Sequence, residues 1–367
     1  MYKRTLACLL LCLLARGAAA AALVPIDVPP LEGVEIVQRF GTDPARPYMP
    51  PAGVIDHPRA PSYAVDAARP DTAPLPAYRI GPDTWFLFGN IAEVDPVNRG
   101  FNGNAGFIVT DEGVVVIDAL GTPYLGRRLI ATVRAVTDRP IRYLVITHAH
   151  PDHYYGAAAF AELPGVRIIS HAGTEKYVHS STIQHSVAYR KVFLPREMEG
   201  FKAVVPDLLL GGGHPARLTL KLGGKTIDIY DVGHPHSHGD LVVHQVEDKI
   251  LWVSDLAFNG RVTFLGDGNL REILPMQTWV RRQFPDLALM VPGHGAPQTP
   301  PFAMLDFTSN YVQALLERMR ALYAAGHGLQ EAVARADLPD YAHAPLYELN
   351  HRINANHVYR LVEEEAF

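Results

Sequence analysis

Thr147-His148-Ala149-His150-Pro151-Asp152-His153 directly follows the apolar run Tyr143-Leu144-Val145-Ile146, which reads as a buried strand. Three imidazoles and one carboxylate therefore stand at a predicted strand end, a rigid platform for ligands. On an extended backbone alternate side chains share a face, so His148 and His150 converge on one ion. The turn after Pro151 swings Asp152 and His153 toward a second position. An isolated histidine is usually a satisfied core or surface group, whereas a close His/Asp cluster at a strand end is typical of a metal site.

Further candidate ligands lie in turns after apolar runs. One of His234, His236 and His238 is expected from Val232-Gly233-His234-Pro235-His236-Ser237-His238-Gly239-Asp240, Asp255 from Leu251-Trp252-Val253-Ser254-Asp255, and His294 from Met290-Val291-Pro292-Gly293-His294-Gly295. In this order the motifs HxHxDH, HSxGD, a strand-end aspartate and GHG resemble the metallo-β-lactamase fold superfamily from about Tyr78 to Pro300. The resemblance implies an α/β architecture, an αββα sandwich. It also implies two zinc ions, with iron or manganese tolerated by a hard oxygen bridge. His148, His150 and His236 would hold the first ion and Asp152, His153 and His294 the second, with Asp255 bridging. His236 is chosen over its neighbours because Ser237-x-Gly239-Asp240 matches the family turn. Asp118, at the end of Val114 to Ile117, resembles the buried aspartate that braces the ligand loop; capping a helix near Tyr124 is its alternative role.

The chain has 367 residues, 48% hydrophobic and 19% charged, which suits an ordinary soluble protein of one large domain with additions or two smaller ones. Lys3 and Arg4 precede the apolar run Leu6 to Leu14 and the small residues Ala18 to Ala22. This predicts a signal peptide over residues 1–22 and a periplasmic or secreted protein. The run is about half of the roughly 20 residues needed to span a bilayer, so no stable membrane span is expected after cleavage. Both cysteines, Cys8 and Cys12, fall inside that segment. The mature protein would then have no disulfide and no thiolate ligand. Cleavage also removes Lys3, Arg4 and Arg16 and no acid, shifting the formal charge from -5 to -8, which argues against nucleic acid as a partner.

Residues 23–77 form a proline-rich arm, and 78–300 the predicted catalytic domain. Strands are expected at Tyr78 to Gly89, Ala105 to Val109, Val114 to Ile117, Arg167 to Ser170, Leu218 to Leu222 and Thr226 to Asp231. A helix is expected from about Tyr155 to Leu163, and another after Ala172. In residues 301–367, Leu305, Thr308, Val312, Leu315, Met319 and Leu322 recur at helical spacing, and shorter helices follow at Leu329 to Ala336 and Leu346 to Glu365. This helical C-terminal extension is expected either to cover a mouth of the active site or to form a contact in a homo-oligomer. Tyr154, Tyr155 and His171 are assigned to packing in preference to substrate contact. The polar stretch Tyr177 to Gly213 is expected to shape the pocket.

Asn104-Ala105-Gly106-Phe107-Ile108-Val109, HSHGDLVV and Asn350 to Arg360 resemble exported quinoprotein relay system zinc metallohydrolases, related to SoxH-like proteins. That implies a periplasmic quinoprotein dehydrogenase system as partner. The expected reaction is hydrolysis of a small ester, thioester or amide by metal-bound hydroxide, with Asp152 orienting the nucleophile. Three alternatives stand beside it. A true β-lactamase is disfavoured because enzymes of that kind carry Cys or Ser where this chain has Asp255. A single-iron sulfur dioxygenase shares much of the ligand set. A non-enzymatic accessory role is disfavoured by the complete ligand set.

Overall fold

The computed structural model describes residues 68–214 and 216–366. The predicted signal peptide and the arm up to residue 67 lie outside the described residues. Twelve described strands form two sheets. The first runs in sequence order through β1 (Tyr78–Gly81), β2 (Thr84–Leu87), β3 (Ala105–Thr110), β4 (Gly113–Ile117), β5 (Ile141–Val145), β6 (Arg167–His171) and β7 (Leu208–Leu210). Its pairs are antiparallel as far as β4 and parallel beyond it. The second holds β8 (Arg217–Leu222), β9 (Lys225–Asp231), β10 (Leu241–Gln245), β11 (Ile250–Phe258) and β12 (Leu289–His294), with only β11 and β12 parallel.

Strand alternation divides the apolar residues between two cores. Ile108, Val115, Ile117 and Val145 point inward to meet Ile227, Ile229, Val243, Trp252 and Val291 of the opposing sheet. Phe107, Val109, Val114, Val116 and Leu144 point the other way, onto Leu125, Leu129 and Val133 of α1 (Pro123–Val136). On the far side, Val242, Leu251 and Val253 meet Val280 and Phe284 at the end of α6 (Leu270–Gln283). Both faces of each sheet are thus covered, which is why the central strands read as continuous apolar runs. The result is the expected αββα sandwich with C-terminal helices.

Local differences from the sequence reading have identifiable causes. Tyr78 to Gly89 is a hairpin of two short strands turning at Pro82-Asp83. The expected helix from Tyr155 to Leu163 is only a single turn, α3 (Ala157–Phe160), preceded by another, α2 (Pro151–Tyr154), with Tyr155 and Gly156 between them. A Cβ on Gly156 would lie 1.8 Å from the carbonyl oxygen of Ala119, so this close approach admits only glycine. Two further helices follow, α4 (Ala172–Val178) and α5 (Ser181–Phe193).

Near the C-terminus α7 (Ala303–Ala324), α8 (Leu329–Ala334) and α9 (Tyr347–Glu365) form a helical unit. Phe307, Tyr311, Leu315 and Val358 extend the inter-sheet core onto it. Asn350 and Asn354, one turn apart on α9, grip the loop after β11. Asn350 Nδ2 donates to Val262 O at 3.1 Å, Asn354 Nδ2 to Thr263 O at 2.7 Å, and Leu265 N to Asn354 Oδ1 at 2.8 Å. No described helix is long and apolar enough to cross a membrane.

Candidate metal centre

The cluster sits where strands end, the usual ligand position in layered α/β folds. His148, His150, Asp152 and His153 follow β5, and His236 follows β9. Two positions differ from the sequence reading: Asp255 lies within β11 and His294 is the last residue of β12, neither in a turn. Ser254 has φ 49° and the pairing of β11 with β12 slips beside it, an irregularity that places the neighbouring Asp255 in the cluster. Gly293 makes room for that carboxylate, since a Cβ there would stand 1.8 Å from Asp255 Oδ1.

All seven candidates come together in two groups. His148, His150, His236 and Asp255 form one; Asp152, His153 and His294 form the other, and within each the ligand atoms lie within 4.8 Å of one another. Asp255 joins them. Its Oδ2 is 3.2 Å from His236 Nε2, 3.3 Å from His294 Nε2 and 3.9 Å from His148 Nε2, while Oδ1 is 3.5 Å from His153 Nε2. Asp152 Oδ2 stands 3.4 Å from His294 Nε2 and 4.0 Å from His153 Nε2. His234 and His238 belong to neither group.

Outer hydrogen bonds fix the ring orientations. His153 Nδ1 donates to Asp118 Oδ2 at 2.8 Å, and His294 Nδ1 to the carbonyl of Asn102 at 2.7 Å. His150 Nε2 donates to Asp267 Oδ2 at 3.1 Å, which leaves Nδ1 facing inward, 3.0 Å from His236 Nε2. Thr147 Oγ1 donates to Asp118 Oδ2 at 2.9 Å and can accept from His148 Nδ1 at 3.1 Å. The backbone N–H of His236 donates to Asp240 Oδ2 at 2.8 Å, as does that of Ser237 at 3.0 Å, so the serine-glycine-aspartate turn sets the register of His236.

With their N–H groups committed outward, His148, His150, His153 and His294 turn nitrogen lone pairs toward one another and toward two carboxylates. His148 Nε2 and Asp255 Oδ1 are buried and have no hydrogen-bond partner among the described residues. A divalent cation satisfies such a donor set, which has the imidazole and carboxylate chemistry of zinc sites. Charge tells the same story. Burial disfavours the imidazolium form of His153, yet the carboxylates of Asp255, Asp118 and Asp152 raise it to about 10. Burial likewise opposes ionisation of Asp255, but His294, His153 and His236 hold it well below the usual carboxylate range. The pocket demands positive charge, and the cluster is able to bind metal ions.

Asp118 braces the ligand loop as expected, accepting from Thr147 N at 2.8 Å as well as from Thr147 Oγ1 and His153. The alternative role goes to Thr122, whose side chain caps α1. Tyr154 bonds the backbone of Val204, and Tyr155 OH meets Tyr177 OH, so both serve packing. His171 caps α4 by accepting from Gly173 N and reaches Asp231 Oδ1 at 3.1 Å, again a structural role. Three contributors were missed: Asp267 behind His150, Asn102 whose Nδ2 donates to Asp152 Oδ2 at 3.0 Å, and Arg261 beside His294. A surface groove of about 510 Å³ passes Asp267, lined also by Lys176, Tyr177, Ser180, His234 and His238. From the polar stretch Tyr177 to Gly213, only Tyr177 and Ser180 line it.

Comparison with known proteins places this site in a family. A 53-residue segment is 38% identical to a linear primary-alkylsulfatase of Pseudomonas sp. (strain ATCC 19151), covering 14% of this chain and 10% of that protein. A metallo-β-lactamase type 2 of Bacillus sp. (strain 170) is 24% identical over 203 residues, 53% of this chain and 69% of the relative. The stereoselective inverting sec-alkylsulfatase Pisa1 from Pseudomonas sp. shares the fold with a TM-score of 0.60 at 18% identity, over 88% of this chain and 56% of its own. The chain thus spans about half the length of that solved relative. Residues 98–307, more than half of the sequence and all seven clustered side chains, match the family model of the metallo-β-lactamase superfamily, and the chain belongs to that superfamily.

Proposed function

We propose that this protein is an exported dinuclear zinc hydrolase acting on a small ester, thioester or amide. The observation that carries the reading is the pair of ligand groups joined by Asp255, with ring nitrogens aimed by Asp118, Asn102, Asp267 and Thr147. His148, His150 and His236 would hold one ion, and Asp152, His153 and His294 the other. Bound zinc supplies Lewis acidity and a water that ionises near neutral pH. Asn102 Nδ2 holds Oδ2 of Asp152, the carboxylate that would orient the attacking water. The groove beside Asp267 is of a size that admits a small molecule.

The basic, apolar and small-residue pattern of residues 1–22 supports export. The quinoprotein relay resemblance in Asn104 to Val109 and Asn350 to Arg360 supports work beside a periplasmic quinoprotein dehydrogenase. The names of the relatives add lactams and sulfate esters to the substrate screen. The test is turnover by the zinc-loaded mature chain over esters, thioesters, amides, lactams and sulfate esters. Hydrolysis of an ester, thioester or amide that a chelator abolishes and zinc restores supports the reading. Oxygen consumption by a single-iron form, without hydrolysis, overturns it.

A further inference from the structure

One loop, residues 259–269 between β11 and α6, backs much of the cluster. Arg261 Nη1 stands 3.2 Å from His294 Nδ1, and Thr263 borders His236 and Asp255 across a small internal space. The ring of Phe264 meets His150 edge-on, 6.2 Å between centroids, and Asp267 accepts from His150 Nε2 at 3.1 Å. Of the five candidate histidines His150 alone is half-buried, so it has the least surrounding packing to hold it and leans most on this loop.

A segment without helix or strand does not pair its own main chain, so the groups it buries need partners elsewhere. Here they come from far along the sequence. Val262 N donates to Pro345 O at 3.0 Å, and Val262 O accepts from Asn350 Nδ2 at 3.1 Å. Asn354, fully buried on α9, uses both ends of its amide: Nδ2 donates to Thr263 O at 2.7 Å, and Oδ1 accepts from Leu265 N at 2.8 Å. These are the residues on either side of Phe264. Asparagine carries an acceptor and two donors on a short side chain, so one residue can hold a C=O and an N–H two positions apart. Its other donor reaches Tyr311 OH at 3.0 Å.

We propose that Asn354 is a positioning residue for the first ion: by holding the main chain on both sides of Phe264 it sets where Phe264 and Asp267 meet His150. The C-terminal helices thereby belong to the metal centre without supplying a ligand. This rests on the metal-binding reading of the cluster and extends it to a part of the chain that touches none of the seven candidates.

The test is zinc titration of the protein against a chromophoric chelator, with urea unfolding of the same variants. Asn354→Ala should weaken one zinc site about three- to tenfold, at or below the loss expected for a direct outer-shell partner, and leave the other near wild type. Tyr311→Phe controls for stability alone. It removes hydrogen bonds to Asn354 and His351 but none to the loop, so its urea midpoint should fall while both zinc sites titrate near wild type. Double variants read the path. With Asp267→Asn, the combined loss should fall short of the product of the two single losses, because both act on His150; with Asp118→Asn, each loss should stay on its own site. Zinc affinity unchanged in Asn354→Ala, weakened equally in Tyr311→Phe, or lost in full proportion on top of Asp267→Asn would overturn the proposal. If Asn354→Ala is unfolded by circular dichroism, Asn354→Gln, which keeps the amide on a longer arm, takes its place with a smaller loss in the same direction. A wild type that binds one zinc would refute the dinuclear reading instead, and the comparison of Asn354→Ala with Tyr311→Phe would still decide the positioning role at that ion.

Discussion

Asp118→Asn is the sharpest probe of the outer layer of the site. The carboxylate accepts three hydrogen bonds, from Thr147 N at 2.8 Å, Thr147 Oγ1 at 2.9 Å and His153 Nδ1 at 2.8 Å. An amide can keep Oδ1 on Thr147 N, but its NH2 then faces two donors. The threonine hydroxyl can rotate; the imidazole cannot. His153 must either tolerate an N–H against an N–H or move its proton to Nε2, which points at Asp255 Oδ1 3.5 Å away. The second choice removes one nitrogen lone pair from the Asp152, His153 and His294 group, and the first turns the ring away from its ligand position. A charge-assisted hydrogen bond of this kind contributes about 1.5–3 kcal/mol. Loss of an outer-shell partner weakens metal binding about 10–100-fold, which at about 1.4 kcal/mol per tenfold corresponds to about 1.4–2.8 kcal/mol. Zinc titration against a chromophoric chelator should show one weakened site and one nearly unchanged. Two sites titrating as in wild type, in a variant that is folded by circular dichroism, would refute the reasoning.

Other consequences follow from the same geometry. His236→Ala should lose an ion from the first group, whereas His234→Ala, at an exposed side chain paired with Glu272, should retain both; metal analysis of the two variants decides the register. Gly293→Ala would drive a methyl group into Asp255, so metal content should fall while secondary structure persists; full metal content would contradict the close packing. Asp267→Asn should weaken metal binding less than Asp118→Asn, since the Asp267 side chain is 43% exposed and water can replace part of its role. A pH effect is expected in the helical unit. His351 is buried and neutral, accepting from Tyr311 OH at 3.0 Å and donating to Ala336 O at 3.1 Å, and burial holds its pKa below the ordinary value of about 6.5. Its contribution is therefore fully present above about pH 6.5 and is lost as pH falls through the lower folded value, because the unfolded chain binds the proton first. Urea midpoints should drop more between pH 7.5 and 5.5 in wild type than in His351→Gln, and parallel pH profiles would contradict this.

The candidate ligands were legible because chemistry and spacing coincide in short segments: His148 to His153 within one loop, His236 within a turn that fixes its register. The layered α/β class was legible in strands alternating with helices, while the αββα sandwich came from the family resemblance carried by the His/Asp motifs. What escaped depends on contacts distant in sequence. Asp267 sits between Gly266 and Gly268, a turn by any local reading, and acquires meaning only where it meets His150. Asn102 and Arg261 likewise reach Asp152 and His294 through tertiary packing. The break at Gly156 has a local signal, one glycine, but its N–H is drawn off to Leu120 O at 2.9 Å on another segment, where the carbonyl of Ala119 leaves no room for a side chain. Asp255 looked like a strand-end residue because the slip in pairing beside Ser254 has no signature in sequence.

The central claim is a pair of metal sites sharing Asp255, and plasma mass spectrometry of the protein, purified without added metal, tests it most directly. Two zinc ions per chain, falling to one or fewer in Asp255→Ala, is the predicted result. A single iron per chain, or zinc content indifferent to Asp255, would contradict it.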